Sequence, residues 1–482
     1  MKKKISLPIY IGTIIGTAVL FGGGGFLLAK EGPEAFIDFG AKQSAIRTND
    51  NDLDQVYQLY NTINQNYYQK VDKDKLVAGA LKGMTEALDD PYSTYLDKEG
   101  AAALNESLSD SFEGIGATLG LVEEQPVIAQ TPIKGTPAQK AGLKAEDVIS
   151  QVDGEDTKGQ KLDQVVAKIR GEKGTKVNLT IQRGKDTFEV AVTRDTIPIE
   201  TVHGQLDKKE PTIGYVQITT FGAGTTKELQ RTIEDLREAG AKSFVLDVRQ
   251  NPGGLLDRVQ EMASMFLEDE KTIVQFEDGQ GNKSKTVANK ELDGGFKVRE
   301  PVVVLVDGNS ASAAEIFAAA LKESANAPVI GTTTFGKGTM QQVAELDSKS
   351  ELKLTVGKWL TPDGEWINEK GLTPTIKADY PSYAYLPPLS RNEEYRKGDS
   401  GQKIDYLNQF LKAIGYQTKG DSFNQTTEEA VKAVQKANKL KETGVVDGTT
   451  ADAIETAVAK TLMGQDFAYQ KGIQTLSEQL EK

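Results

Sequence analysis

The sequence predicts a multidomain α/β protein, and three observations carry that prediction. The chain has 482 residues, too many for one ordinary hydrophobic core, so three or four modules are expected. From about 197 to 381, apolar runs such as Val302 to Val306 alternate with stretches of helical period, the pattern of an α/β core. On both sides the texture changes. Residues 111–196 read as short strands with glycine turns, and after Tyr380 the prolines 381, 387 and 388 mark a linker into a helical tail.

Composition removes several chemistries. A net charge of −13 and a pI near 5.0 argue against a nucleic-acid surface, which would show basic patches. Without cysteine there is no thiol nucleophile, thiolate metal site or disulfide. His203 is the only histidine, so a paired-histidine zinc site cannot be built, and a Ser-His-Asp triad would have to use it. Its position just after a domain boundary favours a solvated role. No metal or other cofactor is expected.

Lys2, Lys3 and Lys4 precede an uncharged segment, Ile5 to Ala29. Its 25 residues are enough to span a bilayer, and the basic flank places the N-terminus in the cytoplasm and the remainder outside. Gly22 to Gly25 weaken the helix, and a cleaved signal peptide is the alternative; with no clear cleavage site before Lys30, residues 1–30 are expected to be an uncleaved anchor. Residues 41–100 read as a helical region. Leu53, Val56, Tyr57, Tyr60 and Ile63 fall at helical spacing, as do Leu76, Ala80, Leu81, Met84 and Leu88 after a cap at Asp74. Such a stripe is core or dimer surface more often than a ligand site.

Within 111–196 five features occur in order. Gly114-Ile115-Gly116-Ala117-Thr118-Leu119 is a glycine-bearing loop entering a strand; Pro137 to Leu143 is a short helix closed by Gly142. Asp147 to Gly154 is a strand ending in a turn, Leu162 to Ile169 a helix, and Val177 to Arg194 two strands around Gly184. This set resembles a PDZ domain. The resemblance implies that a peptide C-terminus adds as a strand beside Ala117 to Leu119, its carboxylate held near Ile115 and Gly116. Arg170, at the end of the Leu162–Ile169 helix, either complements the helix dipole or reaches a carboxylate or carbonyl outside the domain. Both ends of the domain, near Ser111 and Thr196, lead into the rest of the chain, so it is expected to gate whatever site lies there.

In residues 197–381, Ile213 to Ile218 is a strand, Lys227 to Ala239 a helix and Ser243 to Val248 a buried strand. The last opens into Arg249-Gln250-Asn251-Pro252-Gly253-Gly254, whose paired glycines can present amides to an anion. The strand Val302 to Val306 leads to Asn309-Ser310-Ala311-Ser312-Ala313-Ala314-Glu315 and a buried helix. A hydroxyl at that helix start meets unpaired N–H groups and the positive dipole end, although an N-cap role alone would explain Ser310 or Ser312. After the short strand Val329 to Gly331 comes Thr334-Phe335-Gly336-Lys337-Gly338-Thr339-Met340-Gln341, where a lysine is flanked by glycines.

The tail, 397–458, carries two amphipathic helices, around Ile404 to Ile414 and Thr427 to Asn438, with Gly420-Asp421-Ser422-Phe423 between them and Gly444-Val445-Val446-Asp447 after them. It resembles the small helical peptidoglycan-binding module, with a generic helical dimerisation tail as the alternative. Residues 459–482 read as a helix without chemistry.

Taken together, Asp90-Pro91-Tyr92-Ser93, the PDZ-like loop, Asp247 to Gly254, the Ser312 and Lys337 stretches, Thr361-Pro362-Asp363-Gly364 and Gly371-Leu372-Thr373-Pro374 resemble the carboxyl-terminal processing (tail-specific) proteases over about Leu53 to Ile376. The resemblance implies a PDZ domain inserted before an α/β serine-protease core of the crotonase/Clp-protease-like kind, cutting proteins that it recognises by their C-termini. Carried over residue by residue, the nucleophile falls on Ser312, not Ser310, the base on Lys337, 25 positions later, and the supporting amide on Gln341. Met340 stands where the family often has a smaller apolar residue. A homodimer is implied by the family alone.

The physics agrees with that assignment. A serine hydroxyl attacks only when a base takes its proton, and a lysine serves only when neutral. Its ordinary pKa of about 10.4 must fall to about 7–8, which burial away from carboxylates would achieve. The oxyanion would be met by the Ala313 amide and by one amide of Gly253 or Gly254. Ser350-Glu351-Leu352-Lys353 fits an S-x-x-K spacing. But Leu352, Leu354 and Val356 alternate as in a strand, which puts Ser350 and Lys353 on opposite faces, so the match is set aside. A non-catalytic PDZ scaffold at the cell surface is the competing reading, and it has no use for Ser312, Lys337 and Gln341 together.

Overall fold

The alternating pattern of 197–381 builds a sheet with Ser312 at the end of one of its strands. In this computed structural model, which describes residues 27–28, 53–347 and 350–481, the strands Ile213–Ile218, Ser243–Asp247, Val302–Val306 and Val329–Gly331 are parallel neighbours in that order. Val202–Leu206 adds antiparallel to the first. Ser243–Asp247 is buried at every position, as an apolar run covered on both faces must be. The helices Thr225–Glu238, Leu256–Ser264 and Ala313–Ser324 pack here, and Phe244, Leu246, Val304, Phe317 and Trp359 belong to one core.

A second sheet supplies the opposite wall. Thr339–Asp347 and Ser350–Leu360 form an antiparallel pair, extended by Thr272–Asp278 and Lys283–Val287, with Thr94–Leu96 beside Ser350–Leu360. On its other side Thr339–Asp347 pairs in parallel with Leu27–Leu28, which also pairs with Gly254–Leu255. The span Ile5 to Ala29 otherwise lies outside the described residues. Among the described residues no helix is long and apolar enough to cross a membrane.

The N-terminal helical region holds helices Asp54–Asn66, Lys73–Glu86 and Lys98–Leu108. Its second helix is capped by Asp72, whose carboxylate accepts the Lys75 N–H, and not by Asp74, which sits inside the first turn. Val56, Tyr57, Leu59 and Met84 are exposed.

Residues between Ser111 and Pro198 form a domain tied at both ends. Ser111–Gly114 and Asp195–Pro198 pair with each other as an antiparallel ribbon. Inside it, Leu119–Val122, Gln125–Ile128, Val148–Val152, Lys176–Arg183 and Asp186–Thr193 make one antiparallel sheet. Its core is Ile128, Ile149, Val165, Leu179 and Ile181.

From Ile376 to Ser477 the chain forms a second compact unit. Helices Gln402–Ala413, Gln425–Ala437 and Gly448–Leu462 pack Leu407, Leu411, Val431 and Ile454 together. Buried Asn408 fastens the loop between the first two by donating to the carbonyls of Gly420 and Ser422. The stretch expected as one terminal helix from 459 is instead the end of Gly448–Leu462, a break at Gly464, and a new helix Phe467–Leu480. A glycine at φ 75° ends a helix without the penalty a side chain would incur.

Candidate active site

Ser312 stands at the turn between the strand Val302–Val306 and the helix Ala313–Ser324, with φ 57° and ψ −115°. A non-glycine residue there is strained, and the surroundings hold it in place. Gly253 packs against the same turn so closely that a Cβ on it would lie 2.9 Å from the Ala311 carbonyl oxygen and from Ser312 Cβ. Gly253 is therefore required by space as well as by its φ of 106°. Ser310 does different work: its buried hydroxyl donates to the Val248 carbonyl and receives the Asp307 N–H, a structural role. Ser312 Oγ is buried and makes no hydrogen bond.

Glu315, one turn into the helix, is fully buried and went unremarked in the sequence. Its carboxylate accepts the Ser312 N–H at 2.8 Å, the Lys337 N–H at 2.9 Å, the Gly336 N–H at 2.7 Å and the Thr334 hydroxyl. One side chain thus ties the Ser312 turn to the Lys337 loop. Burial pushes the Glu315 carboxyl up, and these donors pull it back. The signal was present as the S-x-x-E spacing of a capping box, Ser312 to Glu315.

Lys337 is 1 % exposed, extreme for a lysine. Its Nζ lies 4.6 Å from the centre of the Tyr92 ring, and Trp359 donates its indole N–H to the Lys337 carbonyl. Burial is the largest influence and lowers the Lys337 amine to about 7, with the Lys353 charge acting in the same direction. The expected distance from carboxylates is not found. Asp90 and Glu315 both act on Lys337 and raise it, but desolvation outweighs them. Asp90 belongs to the Asp90-Pro91-Tyr92-Ser93 turn, where it accepts from the Ser93 hydroxyl and the Tyr92 N–H. Despite burial, hydrogen bonds from Ser93, Thr355 and Tyr92 hold its carboxyl below the usual range.

Gln341 sits on the strand Thr339–Asp347 with no exposure. Its Nε2 donates to the hydroxyls of Thr339 and Thr355, while Oε1 has no hydrogen bond. The amide is thus anchored by its nitrogen, and its oxygen is the acceptor left over. Ala313 begins the helix. Of the paired glycines, Gly253 already donates its N–H to Asn251 Oδ1 at 2.8 Å, and Gly254 runs into the strand with Leu255. His203 is exposed on its strand and takes no part.

In the inserted domain, Gly114 closes the entry strand, and the Ile115 carbonyl accepts the Ala138 N–H. Gly116, at φ 76°, packs against Thr136, where a Cβ would clash at 2.5 Å. Ala117 is partly buried against the domain core, the Thr118 carbonyl accepts the Ala129 N–H, and Leu119 begins the edge strand Leu119–Val122. Arg170 caps the helix Leu162–Ile169 and does reach outside the domain. It donates to Glu106 on the helix Lys98–Leu108, and its guanidinium lies 4.9 Å from the centre of the Phe112 ring.

The profile of Peptidase family S41 matches residues 212–378, a PDZ domain 129–183, the "Activating protease CtpB N-terminal domain" 13–100 and a peptidoglycan binding domain 400–454. The chain is 46 % identical over 442 residues to the carboxy-terminal processing protease CtpA of Bacillus subtilis, covering 91 % of this chain and 93 % of that one. It is 36 % identical to CtpB of the same organism, covering 95 % and 96 %. Among solved structures, a photosystem II D1 C-terminal processing protease aligns at 31 % identity over 67 % of this chain and 86 % of its own, with a TM-score of 0.40. At these identities and coverages the chain belongs to the carboxy-terminal processing proteases, serine-type peptidases of family S41.

Proposed function

We propose that the chain is a membrane-tethered endopeptidase that takes hold of protein C-termini through its PDZ domain and cleaves by a Ser312–Lys337 mechanism. The observation that carries this reading is Lys337 itself, a lysine 1 % exposed whose amine is lowered to about 7, on a loop fastened by Glu315 to the Ser312 turn. The neutral Lys337 amine takes the Ser312 proton, and Oγ attacks the scissile carbonyl. The Ala313 amide meets the oxyanion together with that of Gly254, since Gly253 gives its own to Asn251. Lys337 then returns the proton to the leaving amine, and water hydrolyses the acyl-enzyme. Gln341 Oε1 orients the lysine amine without adding charge.

Leu27–Leu28 pairing between Gly254–Leu255 and Gln341 supports a cleft that takes an extended chain. In the inserted domain the substrate's terminal residues would add beside Leu119–Val122. The uncharged Ile5 to Ala29 after three lysines supports an anchor with the catalytic core outside the cytoplasmic membrane, and residues 400–454 support contact with peptidoglycan. The exposed stripe Val56, Tyr57, Leu59 and Met84 supports a homodimer through the N-terminal helices. A fluorophosphonate label located by mass spectrometry tests the chemistry; modification at any serine other than Ser312 would refute it. Protease shaving of intact protoplasts tests the topology, which fails if the chain beyond Lys30 stays protected until lysis.

A further inference from the structure

The S-x-x-K match set aside in the sequence places a second buried lysine beside the first. Ser350 and Lys353 do lie on a strand, Ser350–Leu360, and Ser350 Oγ donates to Asp347. Lys353 is 8 % exposed. Strand register fixes its direction: Gln341 faces Thr355 and Val343 faces Lys353 across the antiparallel pair. Residues directly opposite, and those two apart along a strand, share one face. Lys353, Thr355 and Gln341 therefore line the same face of the sheet. The Asp90 turn reaches that face: the Thr355 side chain hydrogen-bonds to Asp90, and the Ser93 hydroxyl receives the Thr355 N–H and donates to Asp90. Thr94, the next residue, is the register partner of Lys353 itself.

We propose that Lys353 is a positioning residue for the base: as a buried cation beside Asp90, it competes with Lys337 for that carboxylate and favours the neutral amine of Lys337. The proposal rests on the Ser312–Lys337 reading. The charged and titratable groups acting on Lys337 come from every wall of the site. Asp90 lies on the turn before Thr94–Leu96, whose Tyr92 ring faces the amine, Glu315 is on the helix after Ser312, and Lys353 is on Ser350–Leu360. Asp90 and Glu315 stabilise an ammonium at Lys337, and Lys353 is the positive group that opposes them. Burial lowers the Lys353 amine as well, to about 8, against the pull of Asp90. Two amines beside one carboxylate in a site of low dielectric cannot both hold a proton cheaply. The one nearer bulk-like solvation keeps it, and Lys337 is the more buried of the two.

The test is the pH profile of kcat/KM for a short peptide substrate, with Lys353→Met, Lys353→Gln and Lys353→Arg beside the wild type. Removing the charge in the first two moves the acid limb, which reports deprotonation of Lys337, upward by about half to one pH unit. Activity falls several-fold at pH 7 and recovers by pH 9, and Lys353→Arg, with its fixed charge, keeps the limb at or below its original position. A uniform loss at every pH, with the limb unmoved in both neutral variants, overturns the proposal and leaves Lys353 a packing residue. Lys337→Ala separates the two levels. If it stays active, the Ser-Lys reading fails; if it is dead while the Lys353 limb is unmoved, only the present inference fails.

Discussion

The backbone amides of Ser312 and Lys337 donate to the same oxygen, Glu315 Oε2, at 2.8 and 2.9 Å. The two residues thus sit on different loops, 25 positions apart, and their backbones are fixed to one buried carboxylate. Ser312→Ala and Lys337→Ala should each lower peptide cleavage by about four orders of magnitude, the usual cost of removing one member of a catalytic unit. Lys337→Arg should be equally inactive because arginine does not deprotonate. Ser310→Ala and His203→Ala should keep substantial activity. Steady-state cleavage of a C-terminal peptide, with circular dichroism to show that each variant is folded, decides it.

Glu315→Gln tests the shared acceptor. The amide keeps the size of the side chain but offers one acceptor oxygen to four donors, and its NH2 faces an N–H or hydroxyl. Leaving a buried donor unpaired costs about 1–3 kcal/mol, so the melting temperature should fall by several degrees. Turnover should fall by about 10–100-fold, since displacing a catalytic group by a fraction of an ångström is expensive. A stable variant with full turnover would show that the two loops hold their positions without Glu315.

Lys337 also predicts two pH dependences of the same sign. In the proposed mechanism activity needs the neutral amine, so it should rise with pH through about 7. Because the folded pKa lies below the unfolded value of about 10.4, the unfolded chain binds more protons between those two pH values. Stability from this group therefore rises with pH across that window and is lowest below about 7. Lys337→Met should then raise the melting temperature at pH 6 and have little effect near pH 10. Thermal melts at the two pH values check it, and a gain of equal size at both would contradict the burial of a charged lysine.

How far the sequence foretold this site depends on the kind of signal each residue left. The strands around Ser243–Asp247 and Val302–Val306 were legible because continuous apolar runs admit few other fates. The Ser312 and Lys337 stretches stood out because glycines and small residues there serve close approach, as Gly253 against Ser312 bears out. Lys353 was passed over because a strand's alternation shows which residues share a face, not which face is buried or what covers it. Asp90 near Lys337 was missed for a related reason: that proximity joins the N-terminal region to the second sheet through Thr94–Leu96, a pairing no local pattern encodes. The Asp72 cap and the break at Gly464 are boundary details, decided by which of several possible caps the flanking chain can reach.

Arg170 supplies the last prediction. Its pair with Glu106 is about 42 % and 35 % exposed, and an ion pair so open to water contributes at most about 1 kcal/mol to stability. Yet it sits at the end of a bonded path. Glu106 lies on the helix Lys98–Leu108; the Leu108 carbonyl accepts the Ala223 N–H. Two residues back, the Phe221 N–H donates to the Gly253 carbonyl, and the Phe221 carbonyl accepts the Leu255 N–H. The PDZ domain is thereby connected to the glycines that would hold the oxyanion. If peptide binding selects an active arrangement that is scarce in the free enzyme, Arg170→Ala and Glu106→Gln should each lower turnover at least tenfold. Peptide affinity, measured by fluorescence polarisation, should change less than threefold. Deleting residues from about Ser111 to Thr196 then distinguishes the sign of the gate. An activating domain leaves a nearly dead core, and an inhibitory cover leaves an unregulated active one. A deletion that raises KM while turnover stays the same would reduce the domain to a tether, because a lost binding site changes capture without changing the geometry at Gly254.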